Sequence, residues 1–185
     1  RGIPSLGIEP TASTAEAAKN LGLDVLGEFF GSELGRKLAN DGKSADLIIG
    51  NNVYAHVPDI MDFTVGLKNA LKPGGTITLE FPHLVRLLQH KQFDTVYHEH
   101  FSYLSLFTTI KIFRAAGLKI WHVDKIPTHG GSLRVFGALR NDPRDISPSV
   151  SKILAEEASM DLQDMGPYRK FQQEVNRVKD DFLSF

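Results

Sequence analysis

The chain reads as an α/β fold, a mainly parallel sheet with helices on both faces, followed by a short β-hairpin and a helical C-terminal segment. Three observations predict it. From residue 4 to residue 81, short apolar runs alternate with amphipathic stretches in the order β-α-β-α-β-α-β. The clearest run, "ADLIIGNN" at residues 45–52, is apolar without alternation, as expected of a strand covered on both faces. Past Pro82 the rhythm breaks, and two adjacent strand-like runs give way to a charged helical tail.

Each element has its own signal. "PSLGIEP" at residues 4–10 is a short apolar run closed by an acid and a proline, hence a buried strand. "TASTAEAAKNLG" is a helix with Thr11 or Ser13 as N-cap and Gly22 as its stop. "LDVLGEFF" is a second strand, and "SELGRKLAND" a helix ending near Asp41-Gly42. After the run at 45–52, "PDIMDFTVGLKNAL" puts Ile60, Phe63, Leu67 and Leu71 on one helical face. "KPGG" ends that helix and "TITLEF" at residues 76–81 is the next strand. "HLVRLLQHKQF" is a short helix. "SLFTTIKIFRAAGL" is a longer one, with Leu106, Ile110, Phe113 and Ala116 facing inward and Gly117 as its stop. "KIWHVDKIP" and "SLRVFGALR", joined by "THGG", pair antiparallel. From Ser147 onward the chain is helical, interrupted at Gly166-Pro167.

Composition narrows the function. Hydrophobic residues at 42% and charged residues at 23% suit a globular core. A formal net charge of −1 gives no broad pull toward nucleic acid or anionic lipid. Zero cysteines remove disulfides, thiolate zinc sites and cysteine nucleophiles from this chain and fit a reducing cytoplasm. No apolar run reaches the roughly 18–20 residues that span a bilayer. No feature fixes an oligomeric state.

Ligands of such sheets gather at the carboxyl ends of the strands. Glu9, Glu28-Phe29, Asn51-Asn52 and Glu80 stand at those ends. A carboxylate there can accept both hydroxyls of a ribose, or it can cap the next helix, and spacing leaves Glu9 open to either role. The densest chemistry lies later. "FDTVYHEHFSYLS" at residues 93–105 gathers Tyr97, His98, Glu99, His100 and Tyr103, in a chain with only 7 histidines and 4 tyrosines. Two histidines on one face of an extended segment suit a metal only with a third ligand, which is missing nearby. A histidine beside a carboxylate and tyrosine hydroxyls suits proton transfer, and burial under a helix would account for the same residues. "PTHGGSLRVF" at residues 127–136 offers glycine N–H groups, a hydroxyl and a guanidinium for an anion, or simply a hairpin turn.

These stretches together resemble a known family. "ADLIIGNNVYAHVPDIMDFTVGLKNALKPGGTITLEFP" looks like the second half of a Rossmann-like class I methyltransferase domain that uses S-adenosyl-L-methionine. "FDTVYHEHFSYLS" followed by "PTHGGSLRVF" resembles the sugar C-methyltransferases that act on nucleotide-linked 4-keto-deoxy sugars. The resemblance implies His100 as the catalytic base, with Tyr97 and Glu99 beside it and His56 as a further active-site histidine. It implies Glu9 on the cofactor ribose, Asn51 and Asn52 lining the cofactor pocket, and Glu28 and Phe29 at the adenine edge. Ser132, Arg134 and His129 would face the nucleotide diphosphate. The implied reaction forms an enolate at C3 and methylates it, with no metal, on a small-molecule substrate in the cytoplasm.

The resemblance divides the chain into a methyltransferase domain at 1–125 and the start of a C-terminal substrate-binding region at 126–185. Members carry an N-terminal cysteine-rich zinc module, a glycine-rich first turn and a further C-terminal α/β segment. Their absence leads us to expect a fragment of a longer protein, with weakened cofactor binding. Two alternatives stand beside this reading. A nicotinamide-dependent sugar oxidoreductase would need a tyrosine-lysine pair on one helix, and "YHEHFSYLS" has no lysine nearby. A non-catalytic nucleotide-sugar-binding fragment would act through its charged C-terminal helices.

Overall fold

A computed structural model describes residues 2–185. Two short strands, β1 (Gly7–Ile8) and β2 (Val25–Leu26), pair in parallel as a sheet of their own. The larger sheet holds β3 (Ala45–Asn51), β4 (Leu71–Pro82), β5 (Leu118–Ile126) and β6 (Ser132–Leu139) in the order β3-β4-β6-β5. β3 and β4 are parallel, whereas β6 runs antiparallel to both of its neighbours. The hairpin read from "KIWHVDKIP" and "SLRVFGALR" is therefore part of the main sheet. Its second strand slots between β4 and β5, so the expected division at residue 126 passes within one sheet.

Helices connect and cover these strands: α1 (Ala12–Asn20), α2 (Ser32–Asn40), α3 (Ile60–Ala70), α4 (Leu84–Gln89), α5 (Leu106–Ala115), α6 (Pro148–Ser159) and α7 (Gly166–Ser184). The apolar spacing of α3 and α5 places Phe63, Leu67, Leu106 and Phe113 in one core with Ile77, Leu79, Phe81, Leu133 and Val135 of the sheet. α5 ends where Gly117 adopts φ +81°, a left-handed residue that suits glycine. α2 and α3 touch through glycines, and a Cβ added at Gly35 would lie 2.4 Å from the Gly66 carbonyl oxygen. That close approach fixes the middle of α3 against the first half of α2.

Four local expectations need correction. β3 is not covered on both faces: Ile48 packs on the core, but Leu47 and Ile49 are 53% and 63% exposed. One face of this edge strand packs on the core and the other is left uncovered, so the alternation of burial returns. "KPGG" does not separate α3 from the next strand, because β4 begins at Leu71 with an irregularity in its register against β3. "PSLGIEP" and "LDVLGEFF" form strands of only two residues each, since each pairs with nothing but the other. Gly166-Pro167 opens α7 rather than interrupting a helix, because proline suits the first turn.

The link between β6 and α6 is pinned by ions. Arg144 donates to both oxygens of Asp142, at 2.7 and 2.9 Å, and to Thr76 Oγ1 and the Gly75 carbonyl. Those hydrogen bonds from Arg144 hold the Asp142 carboxyl near 2, down from 3.8. A depressed carboxyl adds stability above its unfolded value and loses it as pH falls through its folded value. Asp142→Asn should therefore lower stability at neutral pH, and the difference from the parent should shrink steadily from about pH 4 downward, to a small remnant at about pH 2. Urea midpoints across that range would reveal it, and a difference at pH 2 as large as that at pH 7 would refute the assignment.

Candidate active site

The exit of β3 builds one side of the site. Past Asn52, which sits at φ +55°, a single 3₁₀ turn (Tyr54–His56) buries Tyr54 and Ala55 and leaves His56 half-buried. Tyr54 is anchored by a 2.7 Å hydrogen bond to Thr64, and burial pushes its phenol pKa upward. The other side is the loop between α4 and α5. Its residues Phe101 and Ser102 both donate backbone N–H groups to the Ala55 carbonyl, at 2.9 and 3.2 Å. Those two bonds carry the loop onto the turn.

The docking brings His56 and His100 together with ring centroids 4.6 Å apart. Tyr97 also packs on His100, with ring centroids 4.4 Å apart, and Tyr103 meets it edge-on at 6.0 Å. His100 Nδ1 lies 2.9 Å from the Thr95 carbonyl, and His56 Nδ1 lies 3.0 Å from the Glu99 carbonyl. A carbonyl only accepts, so both Nδ1 atoms carry the proton and each neutral ring keeps its lone pair on Nε2. His100 Nε2 is 3.4 Å from the Tyr97 hydroxyl, a long contact. A small apolar hollow lined by Ala55, Pro82, Leu84, Leu87, His100 and Tyr103 opens beside it. The arrangement presents a basic nitrogen beside a phenol, which can take a proton from a carbon acid and steady the resulting oxyanion.

Glu99 is exposed, and what it contributes is its backbone carbonyl. His98 is also exposed and takes no part in the hydrogen bonds that hold the stacked pair. Among the described residues, no three histidine, aspartate or glutamate side chains converge as a metal set.

A second group occupies the carboxyl ends of β1, β2 and β3. One Glu9 oxygen accepts the Thr11 N–H at 2.8 Å, which is the helix-capping role, and leaves the other oxygen without a bond among the described residues. Glu28 and the 85%-exposed Phe29 line a cleft of about 440 Å³ together with Ser32, Lys37 and Asp62. Glu28 also faces Lys37 at 3.7 Å. Asn51 and Asn52 are exposed at the exit of β3, and the Asn52 N–H is bound to the Glu80 carbonyl.

The third group is the turn before β6. Ser132 is buried and donates to the Thr128 carbonyl, so its hydroxyl is engaged within the turn. Arg134 donates to Glu80 at 2.9 Å, and Thr128 donates to the other Glu80 oxygen at 2.9 Å. His129 is exposed at φ +50°, at the crest of the turn. Sequence reasoning noted Glu80 only as an edge residue and missed its bond to Arg134. It also missed His83 and Glu157, a buried pair 2.8 Å apart. The adjacent acids in "AEEAS" held a clue, because one face of the helix they share packs inward.

Comparison with known proteins gives consistent matches. A family described as a methyltransferase domain matches residues 6–123, and one described as a C-methyltransferase C-terminal domain matches residues 127–185. The C-methyltransferase NovU of Streptomyces niveus is 36% identical over 174 residues, covering 94% of this chain and 41% of that protein. The chain thus spans about two fifths of the length of that relative. A Haloferax volcanii methyltransferase solved with its activator superposes with TM-score 0.56 at 16% identity, covering 72% of this chain and 71% of the other. Magnesium protoporphyrin IX methyltransferase from Synechocystis, solved with S-adenosylhomocysteine, gives 0.53 at 13% identity over 71% of this chain and 62% of the other.

Proposed function

This chain belongs to the methyltransferase-domain family of class I, Rossmann-like fold, and from that premise we propose that it serves a C-methyltransferase acting at C3 of a nucleotide-linked 4-keto-deoxy sugar. The observation that carries the reading is His100, whose Nδ1 is tied to the Thr95 carbonyl and whose Nε2 is left facing Tyr97. Both the kinship with NovU, named a C-methyltransferase, and the resemblance of residues 93–105 and 127–136 support it. The methyltransferase family match favours S-adenosyl-L-methionine over a nicotinamide and an enzyme over a bare binding fragment. A cytoplasmic setting agrees with a chain of zero cysteines. Among the described residues, no helix is long and apolar enough to cross a membrane.

The residues at the strand ends fit that cofactor. Glu9 has an oxygen to spare for ribose hydroxyls, and the bare ring of Phe29 in the cleft with Glu28 suits an adenine. Asn51 and Asn52 would line the same pocket. The cofactor, when bound, supplies an electrophilic methyl group. The chain's own task is the proton. His100 Nε2 takes the hydrogen from C3, and the C–H electron pair moves onto the C4 oxygen as an enolate. The Tyr97 hydroxyl donates to that oxygen. His56, holding its proton on Nδ1 against Glu99, stacks on His100 and steadies the imidazolium that forms. Arg134 on β6 and His129 in the turn before it reach the diphosphate, with Glu80 orienting Arg134 and Ser132 fixing the turn. In this reading residues 1–125 carry the cofactor and the base, and residues 126–185 begin the substrate-binding region. The matches at 6–123 and 127–185 support that division.

The test is proton washout. In deuterium oxide with a nucleotide-linked 4-keto-deoxy sugar and no methyl donor, the C3 proton should exchange. Adding methyl-labelled S-adenosyl-L-methionine should place the label on C3, read by carbon NMR. Label on oxygen or nitrogen, or no washout, would overturn the proposal.

A further inference from the structure

Glu157 lies on α6, outside every group described so far, yet it is only 3% exposed. Its Oε1 accepts the Leu106 N–H at 2.6 Å and His83 Nε2 at 2.8 Å, and its Oε2 accepts the Phe107 N–H at 2.9 Å. A buried carboxylate is costly unless donors surround it, and here three N–H groups do so. Two of them open α5, where the helix dipole also favours an anion. The third belongs to His83, the residue that leaves β4.

The two elements it joins are the two ends of one loop. His83 bridges Leu104, and the Leu84 N–H donates to the Leu104 carbonyl at 3.0 Å. Between these ends run α4 and the segment with Tyr97, His100 and Tyr103. The His83 N–H also holds the Gly131 carbonyl at 3.1 Å, so the turn before β6 meets the same point. The neighbouring Glu156 faces outward to Lys125 and Arg86. The two acids therefore have separate tasks.

We infer that Glu157 is a positioning residue that closes the base of the loop carrying Tyr97 and His100, gripping its entry through His83 and its exit through the first N–H groups of α5. The inference rests on the proposed role of that loop. It explains why a carboxylate, rather than an apolar residue, fills this position on the inner face of α6. Gripping both ends shortens the excursion open to the loop and keeps His100 against His56.

The experiment pairs exchange with kinetics on the full protein. In Glu157→Gln one amide nitrogen must face a backbone N–H, so amides of residues 96–103 should exchange at least about tenfold faster while those of β4 and β6 hold. The same variant should lose about tenfold in kcat, with S-adenosyl-L-methionine affinity within about twofold. At His83 the contrast is between a donor and mere bulk. His83→Gln keeps a donor near the Nε2 position and should stay within about threefold of the parent kcat, whereas His83→Leu should fall about tenfold. Equal rates for those two variants, or exchange that rises equally across the sheet, would overturn the inference. Should the unsubstituted protein show no turnover, the functional reading fails, and the exchange pattern alone still decides whether Glu157 holds the loop. Should Glu157→Gln not fold, the His83 pair makes the same decision by exchange and rate.

Discussion

His100→Ala is expected to lower the methyl-transfer rate by about a thousandfold, in the middle of the range for removing a general base. The affinity for S-adenosyl-L-methionine should stay within about twofold, because the residues proposed for that cofactor stand at the carboxyl ends of β1, β2 and β3 and none shares a hydrogen bond or ring contact with His100. The size of the effect follows from geometry. His100 is held from three sides, by the Thr95 carbonyl at Nδ1 and by the rings of His56 and Tyr97. His56, tied through its own Nδ1 to the Glu99 carbonyl, stands one ring away. The C3 proton washout without methyl donor should fall in parallel, which separates loss of the base from loss of methyl-group delivery. A rate unchanged in His100→Ala would remove His100 as the base.

Phe113→Ala is expected to cost about 3–5 kcal/mol of folding stability. Phe113 is fully buried in α5 and meets the ring of Tyr54 edge-on at 6.3 Å. Its ring also fills the space that Gly137 of β6 leaves open, where an added Cβ would come within 2.4 Å of it. Strand and helix cannot close over the gap, because β6 is held by ladders on both sides. The urea midpoint should fall with the slope unchanged. A loss under about 1 kcal/mol would mean that the site collapses freely, contrary to the packing described. Since Tyr54 begins the turn that ends at His56, this variant should also loosen the stacked histidines.

Much of the fold was legible because the signals are local. The three-and-four spacing of Phe63 and Leu67, or of Leu106 and Phe113, depends on neighbours within one turn, and those residues are buried as predicted. Composition could not reveal which strands are edges. "ADLIIGNN" has the apolar content of a central strand, yet its burial depends on what lies beside it, and Leu47 and Ile49 stand exposed. "THGG" predicted a hairpin correctly, but not that β6 would enter between β4 and β5. That placement joins residues far apart in the chain, such as Glu80 and Arg134.

The candidate site divides the same way. The density of Tyr97, Glu99, His100 and Tyr103 was visible in the sequence, and so was the acid after the first strand. Their roles were not. The Glu99 carbonyl takes the bond from His56, and one Glu9 oxygen accepts the Thr11 N–H just before α1, because a residue's partners depend on what the folded backbone offers. His56 entered by resemblance alone, and no local pattern links it to a loop more than forty residues onward. By itself the sequence determined which segments are helix or strand and where histidine, tyrosine and acidic side chains concentrate, since both depend on near neighbours. Only the tertiary structure decided that His56 stacks on His100 and that Glu157 bonds both to His83 and to the first N–H groups of α5. Those contacts exist because the Ala55 carbonyl and the buried end of β4 draw distant backbone groups into hydrogen bonds that water cannot supply there.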